Sequence, residues 1–269
     1  MKRLLKFILP SGVADFIRNR RKLRNIGRRV SVTELFSTDR LTLEAELSGL
    51  ALFAPGQAEK LRYVVDVGAN VGQWASMMLD CINPERLIII EPLPDAFATL
   101  KSKFGTNGQI ELHNVAVGER DSVERLKVTR DTTGASLLQP REEMRAVIGS
   151  NWTITSEVEV KMTTLDRLLV NLPEVSLLKI DVQGYEKSVL AGAKQTLAKT
   201  KFLLIELTFI TQYDGGSWLG EIHQILTRDF GFFLANATAP QILNGRASMV
   251  DGLYVNPKLV QEWVKPDFV

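Results

Sequence analysis

"YVVDVGANVGQW", residues 63–74, is an apolar run that reaches an acid and then two glycines four residues apart. Val64 and Val65 read as the inside of a buried strand, Asp66 stands at its lip, and a helix-like stretch follows at once. A turn of this kind either holds a nucleotide-like ligand or only makes a tight connection. Its neighbours along the chain decide between the two.

From Arg62 onward the pattern alternates. Short apolar runs rich in Val, Ile and Leu occur at 62–67 (RYVVDV), 87–91 (LIIIE), 110–117 (IELHNVAV), 176–181 (SLLKID) and 202–207 (FLLIEL). The stretches GQWASMMLDC, PDAFATLKSKFG and EKSVLAGAKQTLAK separate most of them and read as helices. Strands alternating with helices predict an α/β fold, with a mostly parallel sheet covered by helices on both faces. GFFLANA and SMVDGLYVN, with a turn at LNGR, read as two closing strands in a hairpin. SVERLKVTRD and SEVEVKMTTLDRLL interrupt the alternation and predict a β-rich insertion at about 120–165, with TTGAS (132–136) as a mobile loop.

Composition narrows the class. The chain has 269 residues, 45% hydrophobic and 24% charged, as expected of a soluble globular protein. Its one cysteine, Cys81, excludes an internal disulfide and a Cys-based metal site, which favours a reducing compartment. No stretch has the roughly 18–20 apolar residues of a membrane-spanning helix. MKRLLKFILP imitates a signal peptide, but Lys6 breaks its apolar part and no small-residue cleavage site follows. A cytoplasmic protein is expected.

Charge is placed unevenly. Residues 1–29 carry ten Lys or Arg against one acid, a net of +9, so a total of +2 leaves 2 − 9 = −7 for residues 30–269. Residues 1–56 read as a basic, helical N-terminal extension and 57–269 as the main domain. The interleaved Leu4, Leu5, Phe7 and Ile8 could lie on an anionic membrane surface, although a solvated helix flanking the domain is the preferred reading. Nucleic acid is not an expected partner, because the body is acidic and holds no recognition module.

In an open α/β sheet, ligands sit beyond the carboxyl ends of the strands where the strand order reverses. A dinucleotide turn would read G-x-G-x-x-G, whereas GANVG has Asn70 at the central glycine position. That leaves less room for a diphosphate and suits a ligand with an amino acid and a nucleoside but no phosphate. Asp66 can accept from an ammonium or from the turn's own amides. Gly68 lets backbone approach a ligand, and Gly72 lets the helix start close to the sheet. Glu91, 25 residues after Asp66, ends the second strand and can accept both hydroxyls of a ribose; it could also cap the helix at PDAF. Asn114 and Ala116 would flank a slot for a flat base. Asp181 ends the fourth strand before a glycine turn, and Glu206 extends the row of strand-end acids. Glu186 opens the next helix, where its charge suits the dipole. His113 reads as a strand residue and His223 as a helix-surface residue.

Taken together, VVDVGANVGQW, IIIEPLPDAF, HNVAVGERDS, GASLL, TTLDRLL, LLKIDVQGYEKSVLAGA, LLIELTF…YDG and NGRASMVDGLYV resemble the FkbM-type S-adenosylmethionine-dependent methyltransferases over roughly residues 60–256. The fourth-strand segment is the most specific to that family; the first-strand motif is shared by most class I methyltransferases. The resemblance implies a Rossmann-like, seven-stranded sheet with its last strand antiparallel, and O-methyl transfer from S-adenosylmethionine. It implies that Asp66, Gly68, Asn70 and Gly72 line the methionine end of that cofactor. Glu91 would hold the ribose, Asn114 and Ala116 would lie by the adenine, and Leu93 joins the cofactor set. Ser136, Gln183 and Tyr213 are substrate-side candidates. The acceptor would be a hydroxyl of a small molecule, sugar, glycan, glycolipid or glycosylated natural product.

A hydroxyl acceptor needs a base in the transition state. Asp181 is the first candidate and Glu206 the second. The same two carboxylates could instead hold a divalent metal, although their spacing specifies none. Two rival readings stand beside this one. Glu91 would serve the ribose of NAD in an oxidoreductase equally well, and the fold could be a non-catalytic binding module. Asn70 counts against the first rival and the row of strand-end acids against the second.

Overall fold

The computed structural model describes residues 61–260. The basic, helical extension read at 1–56 and its membrane-surface reading lie outside the described residues. The strands are β1 (Tyr63–Val67), β2 (Arg86–Ile90), β3 (Ile110–His113), β4 (Ala116–Val117), β5 (Ser122–Thr129), β6 (Ile154–Thr163), β7 (Val175–Ile180), β8 (Thr200–Thr208), β9 (Phe233–Ala237), β10 (Gln241–Leu243) and β11 (Arg246–Val255). Eight of them form one sheet in the order β10-β11-β8-β7-β1-β2-β3, with β9 also paired to β11. Strands β3, β2, β1, β7 and β8 run parallel, and β11 is antiparallel to β8.

The chain leaves β1 outward through β2 and β3, then returns to lay β7 on the other side of β1. The order therefore reverses between β1 and β7, which opens a crevice at their carboxyl ends. Helices α1 (Gln73–Cys81) and α2 (Pro94–Phe104) pack on one face of the sheet, where Trp74, Met78, Leu100 and Phe104 meet Val64, Ile89, Leu177 and Leu204. The other face is covered by residues that include Leu165, Val189, Leu197 and Ile222.

Three expectations about the fold change. The run 110–117 is two strands, because the chain turns after His113. Asn114 Nδ2 donates to the carbonyls of Glu91 and Pro92, each at 2.9 Å, and β4 then pairs with β6 in a separate three-stranded sheet of order β4-β6-β5. The closing hairpin at LNGR joins β10 to β11, so the last region contributes three strands and the sheet has eight, not seven. Segment 132–136 is ordered rather than a loose loop. Asp131 Oδ1 accepts from the Thr133 amide (3.1 Å) and hydroxyl (2.8 Å), and Ser136 pairs with Lys127 through two backbone hydrogen bonds.

The two motif glycines serve packing. Gly68 has φ +79°, and a Cβ there would lie 1.8 Å from the Asp181 carbonyl oxygen, so it allows the ends of β1 and β7 to meet. Gly72 caps α1, and a Cβ on it would come within 2.7 Å of Leu100 and Phe104. It clears room for helix against helix rather than helix against sheet.

Candidate active site

Strand alternation sets the chemistry of the crevice. Side chains at i and i+2 share a face, so the face that is apolar at Val64, Leu177 and Leu204 carries Asp66, Lys179 and Glu206 two residues further on. Register puts Asp66 opposite Lys179 and Glu206 opposite Asp251. One face is thus an apolar core at its base and a group of charges at its carboxyl end. Of these, Lys179, Glu206 and Asp251 line a cavity of about 510 Å³.

Lys179 is the hub. Its Nζ lies 3.2 Å from Asp181 Oδ2, 3.7 Å from Asp66 Oδ1 and 5.8 Å from the centre of the Trp74 ring. Burial alone lowers the affinity of its amine for a proton, but Asp181, Asp66 and Asp251 outweigh it and raise the pKa. Asp66 is 0% exposed, and neither of its oxygens has a hydrogen-bond partner among the described residues. Burial pushes its pKa up to about 6, against the pull of Lys179. Neither Lys179 nor Asp251 was among the sequence candidates. A lysine inside the apolar run SLLKI was the available signal.

Asp181 is held from both sides. Gln183 Nε2 donates to its Oδ1 (2.8 Å) and Lys179 to its Oδ2 (3.2 Å), and about a third of the side chain stays exposed. Gln183 itself has φ +54°, a left-handed conformation costly for a residue with a Cβ. Ser136 Oγ donates to its carbonyl (2.7 Å), its amide also reaches Glu206 Oε2 (3.3 Å), and its Oε1 lies 3.0 Å from the Tyr213 hydroxyl. That hydroxyl is also 3.0 Å from the Gly134 carbonyl, and Tyr213 packs on Trp152 with ring centres 5.1 Å apart. Strain is therefore concentrated where two carboxylates are bridged.

Glu206 is 8% exposed, and burial followed by the charges of Asp181, Glu186 and Asp251 raises its pKa well above the usual carboxylate range. Asp251, facing the same cavity, is raised to about 6 by burial and by Asp181. Glu186 accepts from the amides of Gly184 (3.0 Å) and Val182 (3.3 Å), which ties the VQG turn together. Burial raises it to about 7, against those hydrogen bonds.

At the other end, Glu91 takes the Leu93 amide on Oε1 (2.8 Å) and the Asn70 amide on Oε2 (2.7 Å). Burial raises its pKa to about 7, and those two amides oppose the rise. Asn70 has φ +48°, so the position that lacks a glycine nevertheless adopts a glycine-like conformation, which asparagine tolerates. Its Oδ1 is buried and unpartnered among the described residues. Pro92, Val115, Ala116 and Val117 continue the wall beyond Glu91.

Of the sequence candidates, Gly68, Asn70, Glu91, Ala116, Ser136, Asp181, Gln183 and Glu206 line this one cavity. Asp66 lies directly behind it, in contact with Lys179. Gly72, Leu93, Asn114 and Tyr213 stand one layer back, where they brace the wall rather than form it. His113 Nε2 lies 2.8 Å from Glu111, away from the cavity. His223, expected on a helix surface, is half-buried with Nδ1 3.0 Å from the Tyr254 hydroxyl. Among the described residues no group of three or more His, Cys, Asp or Glu is arranged to hold a metal ion. Asp181 and Glu206, the suggested oxygen ligands, are joined instead through Gln183.

The buried acids carry a consequence for stability. Glu91, Glu186, Asp66, Asp251 and Glu206 all have pKa values raised by folding. Between about pH 4.5 and 7 the folded chain therefore binds more protons than the unfolded one, and stability falls as pH rises. The melting temperature at pH 5.5 is expected to exceed that at pH 8 by roughly 5–10 °C. A thermal scan showing a maximum at pH 8 would contradict the burial of these groups.

A doubly covered, mostly parallel sheet with acids at the ends of β1 and β2 beside its switch point defines a Rossmann-like α/β protein. The methyltransferase FkbM domain model matches residues 66–234, and the chain belongs to that family. The 2-O-methyltransferase NoeI of Sinorhizobium fredii (strain NBRC 101917 / NGR234) is 28% identical over 163 residues, 56% of this chain and 65% of NoeI. Methyltransferase 1 of Beauveria bassiana (strain ARSEF 2860) is 28% identical over 143 residues, 48% of this chain and 57% of that protein. The chain thus spans less than two thirds of the length of either. The crystal structure of methyltransferase FkbM from Methylobacillus flagellatus KT is similar at a TM-score of 0.43 and 17% identity, over 89% of this chain and 60% of that one. No helix among the described residues is long and apolar enough to cross a membrane.

Proposed function

We propose that this protein is an S-adenosylmethionine-dependent O-methyltransferase acting on a hydroxyl of a sugar, glycan or glycosylated natural product. The observation that carries this reading is Glu91. It is a buried carboxylate aimed by two backbone amides, and it lines the same cavity as Asp181 and Glu206. Family membership and the 2-O-methyltransferase relative support it.

The residues present fit the cofactor. Glu91 keeps free lone pairs for ribose hydroxyls, the wall from Pro92 to Val117 is apolar enough for a base, and Asn70 has an orphaned Oδ1. Lys179, with Asp66 behind it, would face the charges at the amino-acid end. Bound there, S-adenosylmethionine would supply an already activated methyl group. Asp181 would accept the acceptor's proton, since Gln183 and Lys179 orient it and its side chain is partly open to the cavity. Glu206, whose pKa burial and the neighbouring acids raise well above the usual range, holds a proton more tightly than an ordinary carboxyl and suits hydrogen bonding to the acceptor rather than proton removal.

Calorimetry tests the donor half. S-adenosylhomocysteine should bind, NAD should not, and Glu91→Gln should weaken the former by roughly 10- to 100-fold. Binding of NAD alone would overturn the reading.

A further inference from the structure

We propose that Gln212 reads a second hydroxyl on the methyl acceptor, and that the acceptor is neutral and hydroxyl-rich. This rests on the methyltransferase reading above. Gln212 is 3% exposed and lines the cavity, and its Oε1 is buried without a hydrogen-bond partner among the described residues.

The loop around Gln212 is well anchored. The Arg141 amide donates to the Gln212 carbonyl (3.0 Å), the Asp214 amide donates to the Gln139 carbonyl (2.8 Å), and Pro140 and Tyr213 form an antiparallel bridge. Tyr213, the next residue, is fixed against Trp152 and Gln183. The backbone is thus held on both sides of a side chain whose carbonyl has nothing to accept from. A buried amide left this way is a standing cost to the free protein, and such costs concentrate where a ligand completes the site.

The surroundings indicate what completes it. A hydroxyl can satisfy the amide whichever of its two ends faces inward. Thr132, Thr133, Ser136, Gln183 and Gln241 make the nearby wall polar but uncharged. Beyond them lie Asp181, Glu206 and Asp251 with Lys179 as the cation among them. A carboxylated or phosphorylated acceptor would meet like charge there.

Gln212→Met keeps the side-chain volume and removes the orphaned carbonyl. Without any ligand, the variant is expected to melt about 2–4 °C higher than wild type. A lower melting temperature would mean that the amide already has a structural partner, and would overturn the proposal. The second readout uses S-adenosylmethionine with methyl glycosides of neutral sugars, their single-deoxy counterparts and a methyl glucuronide. Wild type should lose roughly 10- to 100-fold in kcat/KM when the second hydroxyl is removed. Gln212→Met should compress that ratio to below about 3-fold, with the loss mainly in KM. An undiminished ratio, or equal turnover of the glucuronide, would overturn the proposal. No transfer to any glycoside by wild type, with S-adenosylhomocysteine still bound, would also overturn it while sparing the donor site. Failure to bind S-adenosylhomocysteine would instead strike the methyltransferase reading beneath it.

Discussion

Asp181→Asn is expected to lower the rate of methyl transfer by roughly 10²- to 10⁴-fold, the usual contribution of a positioned general base. Affinity for S-adenosylhomocysteine should change by less than about threefold, because Glu91, not Asp181, is the carboxylate proposed to hold the ribose. Asparagine keeps the shape of the side chain and can still accept from one of Lys179 and Gln183 on its carbonyl oxygen, so the fold around the site should persist. Glu206→Gln should cost less, since glutamine keeps the size of the side chain and its capacity to hydrogen-bond the acceptor. Single-turnover rates with any acceptor that wild type methylates measure both variants. A near-normal rate for Asp181→Asn would remove it from proton transfer, and a larger loss at Glu206 would exchange the two roles.

Lys179→Met should have the largest effect on stability. It strips the counter-charge from Asp66, which is fully buried and has no hydrogen-bond partner among the described residues, and from Asp181 3.2 Å away. Breaking a buried pair by removing one partner costs about 3–5 kcal/mol. For a domain of this size that lowers the melting temperature by roughly 10 °C. The sign of the pH dependence sharpens the test. Without the ammonium, the pKa of Asp66 rises further above about 6. The folded state then prefers the proton over a wider range, so the variant should lose stability more steeply than wild type as pH rises toward 8. Adding Asp66→Asn should recover at least half of the loss, because no unpaired charge then remains at that position. A double variant no more stable than Lys179→Met would show that the pair is not coupled.

Much of this molecule was legible in its residues. The apolar runs and the helix-like stretches between them give the doubly covered parallel sheet, because burial on both faces demands continuous Val, Ile and Leu. Asp66, Glu91 and Asp181 could be picked out as acids at strand ends, and LLKIDVQGYE pointed to the family now matched over residues 66–234. Where the reading slipped, a non-local contact was responsible. The run 110–117 has continuous strand character but is divided by Asn114 bonding to Glu91 and Pro92 carbonyls. TTGAS looks like a loose loop in composition, and Ser136 bonding to the Gln183 carbonyl and Tyr213 bonding to the Gly134 carbonyl help to order it.

Local pattern specified which elements form and roughly where a ligand would meet them, since periodicity, turn chemistry and strand ends are properties of neighbouring residues. The identity of the charge network waited on pairing register, which sets Lys179 beside Asp66 and Asp251 beside Glu206 across strands 113 and 45 residues apart in number. Composition could not foretell that Gln183 would be strained into bridging two carboxylates, or that Gln212 would be buried with an unused carbonyl. Those outcomes depend on which distant groups exclude water from each side chain, and the tertiary packing of the insertion against the loop that follows β8 decides that.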